Sequence, residues 1–181
     1  MLNNLQRLQP GERSDRPIDG GVDIGHVHLK TADIDRVHDF YVGILGFDVV
    51  FRRPDALFLS AGGYHHHLGF NTWTSRGGSP PLPGTTGLYH VAIRYPTREA
   101  LGDALRRLVE AGWPLDGVND HGTHEALYLS DPDGNGLELA WDRPEEEWPL
   151  DADGHLAFEH GERDLDRMVR ELLELGRASV G

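Results

Sequence analysis

The chain contains no cysteine. That removes disulfide staples, a thiolate nucleophile and sulfur-ligated zinc or iron–sulfur centres, so any metal has to be held by His, Asp or Glu. Basic residues are scarce: 17 Lys and Arg stand against 30 Asp and Glu, a formal charge of -13. A surface of that sign repels a phosphate backbone, and nucleic acid is not an expected partner. Long apolar runs are also missing. The opening MLNNLQRLQPGERSDRPIDGG lacks the run of roughly 7 to 15 apolar residues that a secretory signal needs, and no later stretch approaches a membrane span. The expectation is a soluble cytoplasmic protein with no membrane partner. At 181 residues and 38% hydrophobic, the chain can form one domain that buries roughly 70% of its unfolded surface.

What is present is a repeat. Gly25-His26-Val27-His28-Leu29-Lys30 and Tyr89-His90-Val91-Ala92-Ile93-Arg94 both alternate as strands do, and they share His-Val-x-[Leu/Ile]-[Lys/Arg]. Each leads into a helix-like segment that ends in glycine followed by an aromatic residue. In the first, Ile34, Val37, Tyr41, Ile44 and Leu45 share a face, with Asp33 as N-cap and Gly46 as the stop before Phe47. In the second, Leu101, Ala104, Leu105 and Leu108 form the stripe, Thr97 caps, and Gly112 precedes Trp113.

Three strand candidates follow each helix: FDVVFR, ALFLSA and YHHHLGFN, then a weak PLDGV, EALYLS and GLELAW. The pattern is strand, helix, three strands, given twice. The modules run over 22–75 and 88–143, divided by the Gly- and Pro-rich stretch 76–87. Two copies are too few for a stacked array, so two βαβββ halves sharing a core, an α+β fold, fit better. A tail, 1–21, precedes them. An extension, 144–181, follows, in which Leu165, Met168, Val169, Leu172 and Leu173 keep the spacing of an amphipathic helix.

Polar residues inside the strands carry the chemistry. The repeat aligns His26 with His90 and His28 with Ala92, so His26 and His90 are the pair that a pseudo-two-fold axis would bring to one point. Glu138 offers a carboxylate in the last strand, with Leu137, Leu139 and Trp141 on the other face. Singly, each has an ordinary reading: a half-buried strand histidine, a solvated glutamate. Together, two imidazoles and a carboxylate form the set that holds non-haem Fe(II), or Mn(II), and leaves positions open for a chelating substrate and dioxygen. Asp131-Pro132-Asp133-Gly134-Asn135-Gly136 nearly satisfies a calcium-loop spacing, but the flanking patterns are strands rather than helices, so a hairpin turn is expected.

Taken together, IGHVHLKTADIDRVHDFYVGILGF, GGYHHHLGFNTW, TTGLYHVAI and DHGTHEALYLSDPDGNGLELAWDRP resemble the vicinal oxygen chelate superfamily of glyoxalases, bleomycin-resistance proteins and extradiol dioxygenases. Within it they look like the catechol 2,3-dioxygenase branch, over residues 22–143. The resemblance implies two paired βαβββ modules forming a curved, partly closed mixed sheet around a metal held by His26, His90 and Glu138, with a C-terminal helix added. It implies Fe(II), with Mn(II) as the alternative, and an aromatic diol and O2 as partners, in a chain that can form a homo-oligomer. The ring would open next to the diol.

Aligned on the following Leu-Gly-Phe, His66 matches the family histidine that faces oxygen and moves a proton, with His65 and His67 turned away. Tyr128, ten residues before Glu138, matches a tyrosine that hydrogen-bonds a substrate oxygen, and His121 matches the Asp-His-Gly turn; His124 matches less well. Many members of the branch carry a further pair of modules, and one pair is visible here. Two other classes compete. A glyoxalase-like isomerase usually adds a fourth, acidic ligand late in the first module, yet no Asp or Glu occurs between Ala56 and Gly87. A metal-free binding protein of the resistance type has no use for His26, His90 and Glu138.

Overall fold

The computed structural model describes residues 14–157 and 164–178. The first module is β1 (Val27–Lys30), α1 (Ile34–His38) running into a π-helical turn (Asp39–Ile44), β2 (Asp48–Arg53), β3 (Ala56–Ser60) and β4 (Leu68–Asn71). The second is β5 (Val91–Arg94), α2 (Arg98–Glu110), β6 (Gly117–Asp120), β7 (His124–Ser130) and β8 (Gly136–Asp142), with α3 (Leu165–Ala178) beyond. Each module is a four-stranded mixed sheet, β1-β4-β3-β2 and β5-β8-β7-β6, not closed into a barrel. The ladders show the repeat directly: Val27 lies opposite Leu68 in one parallel pair and Val91 opposite Leu137 in the other. Of the expected tail, residues 1–13 lie outside the described residues.

Local chemistry explains most boundaries. Asp33 accepts from the Asp35 and Arg36 amides at the start of α1, and the Thr97 side chain accepts from the Ala100 amide at the start of α2. Gly46 and Gly112, at φ +85° and +65°, end both helical segments in the left-handed conformation. Three expectations need correction. The first helix is regular only to His38. In the π turn that follows, the Leu45 amide reaches the Phe40 carbonyl at 3.0 Å, and Phe40, outside the expected stripe, is buried beside Tyr41 while Ile44 is only half-buried. Sinking a second aromatic ring is worth about 1.5–3 kcal/mol, more than the ~1 kcal/mol of an ordinary helical hydrogen bond. The weak strand at PLDGV lies later, at Gly117–Asp120. The strand expected at YHHHLGFN begins only at Leu68, leaving the three histidines ahead of it.

One hydrophobic core serves both sheets, and the first module rests its helix on the β7–β8 turn of the second. Tyr41 Oη donates to Asp131 Oδ2 at 3.0 Å, Thr31 and Arg36 bind Asp133, and the Phe40 and Trp113 rings lie 4.5 Å apart. Asp131 also accepts from the Asp133 and Asn135 amides and from Asn135 Nδ2. The near-calcium motif is therefore a hairpin turn whose carboxylates are engaged in the turn and the joint. On the outside, α3 packs on α2 so closely that Gly102 and Gly176 meet backbone to backbone. Arg98 links the two helices to β7 through Glu171 and the buried Glu125. Among the described residues no helix is long and apolar enough to cross a membrane.

Candidate active site

Strand alternation sends Leu137 and Leu139 of β8 into the core and turns Glu138 to the opposite face. Glu138 is nevertheless only 6% exposed, because histidines and a tyrosine close over it. Its Oε2 is 2.9 Å from Nε2 of His90, which sits one residue ahead of β5. Its Oε1 faces Nε2 of His124 at 2.9 Å and accepts from Tyr128 Oη at 3.2 Å. Tyr128, directly across the ladder from Glu138, also has its hydroxyl 2.7 Å from His121 Nε2.

The charges in this cluster are sorted. Hydrogen bonding from His124 holds the Glu138 carboxyl below its ordinary range despite burial, helped by the charges of His124 and His90. Burial, and then the neighbouring Glu138 carboxylate, push the Tyr128 phenol up to about 12. At neutral pH the carboxylate is ionised and the phenol keeps its proton, so Tyr128 is a hydrogen-bond donor there. His90 is held with its Nδ1 buried and, among the described residues, without a hydrogen-bond partner. Beside the cluster opens a cleft of about 550 Å³, lined among others by Tyr89, His90, Asn119, Tyr128 and Leu137.

The first module contributes a second group of rings. His26, exposed and one residue ahead of β1, lies 4.3 Å from the His66 ring and 6.3 Å from the His65 ring. His66 stacks on Phe58 at 5.0 Å, and desolvation, followed by the charges of His26, His65 and His28, lowers its pKa. His67 points away as expected, to Ser60 and the Ala61 amide. His65 does not. Its Nδ1 is 2.8 Å from that of His66, because the segment ahead of Leu68 is not a strand and does not alternate.

The expected residues thus fall into two contacts: His90, Glu138, Tyr128 and His121 in one, and His26 with His66 in the other. Among the described residues, the three-donor group here whose ligand atoms all lie within 4.8 Å of one another is His121, His124 and Glu138. His26 and His90 are both outside that group, so His26, His90 and Glu138 are not gathered as one three-donor set in this structure. Sequence reasoning ranked His124 below His121, although a signal in its favour was present: four residues before Tyr128 on one strand, it must share the tyrosine's face. The position equivalent to Glu138 in the first module is Gly69. A Cβ there would lie 3.0–3.2 Å from the His28 ring, so glycine makes room for an imidazole where the second module carries its acid.

Comparison with known proteins places the chain in a family and a fold. The family profile described as Glyoxalase/Bleomycin resistance protein/Dioxygenase superfamily matches residues 23–139. The catechol-2,3-dioxygenase of Bacillus subtilis (strain 168) is 38% identical over 148 residues, covering 82% of this chain and 51% of that protein. Biphenyl-2,3-diol 1,2-dioxygenase 3 of Rhodococcus globerulus is 34% identical over 128 residues, 68% of this chain and 66% of that protein. The chain therefore spans about half to two thirds of the length of these relatives. A solved glyoxalase/dioxygenase from Nostoc punctiforme shares the fold, with a TM-score of 0.58 at 19% identity over 73% of this chain and 99% of its own.

Proposed function

The chain belongs to the glyoxalase/bleomycin resistance protein/dioxygenase superfamily, and within it we propose an extradiol ring-cleaving dioxygenase that acts on a catechol-type diol and O2. The observation that carries the proposal is the cluster around Glu138. A buried, ionised carboxylate has an imidazole on each oxygen and a protonated phenol beside it, at the edge of a cleft. This donor chemistry fits a divalent metal, for which the proposed holders are His26, His90 and Glu138. Such a metal, Fe(II) or alternatively Mn(II), would supply open coordination positions where a diol and dioxygen meet.

The remaining roles belong to the chain's own side chains. Tyr128, protonated at neutral pH, would turn its one O–H from Glu138 Oε1 to a substrate oxygen, with His121 Nε2 2.7 Å from its hydroxyl. His66, whose pKa is lowered chiefly by desolvation, is neutral at pH 7 and free to take a proton. The cleft beside His90 and Tyr128 is of a size that holds one aromatic ring. The absence of an acid at Gly69 sets this site apart from an isomerase that needs a fourth carboxylate.

The test is oxygen consumption. Protein reconstituted anaerobically with Fe(II), then mixed with catechols in aerated buffer, should take up O2 in equimolar ratio to the diol and accumulate a yellow ring-opened product. His66→Phe should keep the iron and lose turnover. No uptake across simple and substituted catechols, with the iron shown to be bound and ferrous, would overturn the dioxygenase reading and favour an isomerase, to be assayed next with hemithioacetals.

A further inference from the structure

Glu138 is contacted from two sides, and the proposed iron set uses one of them. Oε2 faces His90, whereas Oε1 faces His124 Nε2 at 2.9 Å. Next to His124 stands His121, the two rings stacked with centroids 4.5 Å apart and 23° between their planes. One ligand atom from each of His121, His124 and Glu138 lies within 4.8 Å of the other two. Small side-chain rotations would let one cation hold all three at bonds of about 2.0–2.2 Å.

The surroundings support His124 as a ligand. Thr123 Oγ1 lies 2.8 Å from its Nδ1, and a hydrogen bond at one imidazole nitrogen orients the ring and leaves the other nitrogen for a metal. The turn that presents the pair is tied down. The His121 amide donates to the His124 carbonyl at 2.9 Å, Asp120 Oδ1 accepts from the Gly122 amide at 2.9 Å, and Arg143 joins Asp120 to the buried Glu125. A built turn, two stacked imidazoles and a buried carboxylate are more than a chance approach of exposed acids.

We propose that His121, His124 and Glu138 form a second divalent-metal site, zinc-like in preference, that shares its carboxylate with the His26, His90 and Glu138 set. Two imidazole nitrogens and one carboxylate oxygen, with water as the fourth ligand, make a tetrahedral zinc donor set, and a d10 ion imposes no geometry of its own. For the same nitrogen-rich donors Zn(II) binds more tightly than Fe(II). With Oε1 on the cation, Tyr128 loses the carboxylate oxygen to which it now donates, so occupation of this site changes the hydrogen-bond partner of the Tyr128 hydroxyl.

The experiment uses the full chain, stripped by chelation and kept free of iron, titrated with Zn(II) against a chromophoric zinc indicator. His124→Ala should weaken zinc binding by on the order of a hundredfold or more, since even loss of a group behind a ligand costs about 10–100-fold, whereas His26→Ala should leave it within about threefold. Affinity that falls with His26→Ala, alone or together with His124→Ala, overturns the second site, because zinc is then in the other set. Affinity unchanged in both variants overturns it as well. If His124→Ala does not fold, ring-nitrogen NMR of the native chain decides: zinc must perturb His121 and His124, and perturbation of His26 and His90 in their place refutes the proposal. None of these outcomes bears on the oxygen-uptake test, so the two readings fail separately.

Discussion

Replacing Gly102 by alanine tests how the C-terminal helix is held against the second module. Helix propensity alone favours the change, since alanine in a helix interior is better than glycine by about 1 kcal/mol. Packing reverses the sign. A Cβ at Gly102 would lie 2.3 Å from the Leu172 carbonyl oxygen and 3.0 Å from the Gly176 amide nitrogen, both backbone atoms of α3 that no rotamer can move aside. Ordinary contact begins at 3.4 Å, so the helices must part by about an ångström, enough to forfeit a quarter to a half of the dispersion between facing side chains. α3 buries Met168 and Leu172 in that contact, to 5% and 0% exposure. Each such side chain is worth about 1.5–3 kcal/mol when fully buried, and overpacking typically costs about 1–3 kcal/mol. The net expectation is a loss of about 2 kcal/mol. In a chain of this size that lowers the melting temperature by about 4–8 °C, readable by circular dichroism. Gly176→Ala, whose Cβ would meet the Gly102 carbonyl at 2.2 Å, should cost as much. The double variant should fall short of the sum, because both changes open the same gap. A Gly102→Ala protein that melts at or above the native temperature would falsify the close α2–α3 contact.

Tyr41→Phe should lower stability by about 1.5–3 kcal/mol, the worth of a hydrogen bond to a charged group, because the fully buried hydroxyl joins the first module to Asp131; a melting curve unchanged within error would show that the joint does not depend on it. Hydrogen bonding from His124 depresses the Glu138 pKa, so the stability it contributes is complete above the unfolded value of about 4.3 and lost as pH falls through the folded value. In metal-free protein, urea denaturation should find the gap between the native chain and Glu138→Gln wider at neutral pH than at acid pH. A gap that widens on acidification would reverse the assigned sign.

What the amino-acid sequence determined by itself is everything that follows from backbone periodicity and terminal chemistry. The two-residue period of Gly136–Asp142 is enough to set Glu138 opposite Leu137 and Leu139, and the structure places them so. Thr97 and Asp33 are caps because a short side-chain oxygen finds its own helix's free amides, and Gly46 and Gly112 are stops because only glycine takes a positive φ cheaply. The repeat aligns His26 with His90 for the same reason, since equivalent strands start at equivalent ladder positions.

Tertiary structure decided whatever depends on which side chain meets which. The π turn exists because Phe40 and Tyr41 both find room among Trp113 and Phe70, partners far away along the chain. His65 turns toward His66 because the strand begins at Leu68, where pairing with β1 and β3 begins, and a residue outside a ladder has no alternating direction to obey. In the β7–β8 ladder His124 lies opposite Asp142 and Glu138 opposite Tyr128, so His124 reaches Glu138 along the shared strand face, across positions that do not pair, and only side-chain packing decides that contact. The amphipathic pattern of 165–173 requires some apolar surface to bury it, but the choice of α2 rests on two glycines, Gly102 and Gly176, whose missing side chains let the backbones touch. Periodicity is local and written along the chain, whereas complementarity between surfaces comes into being only when the chain has brought them together.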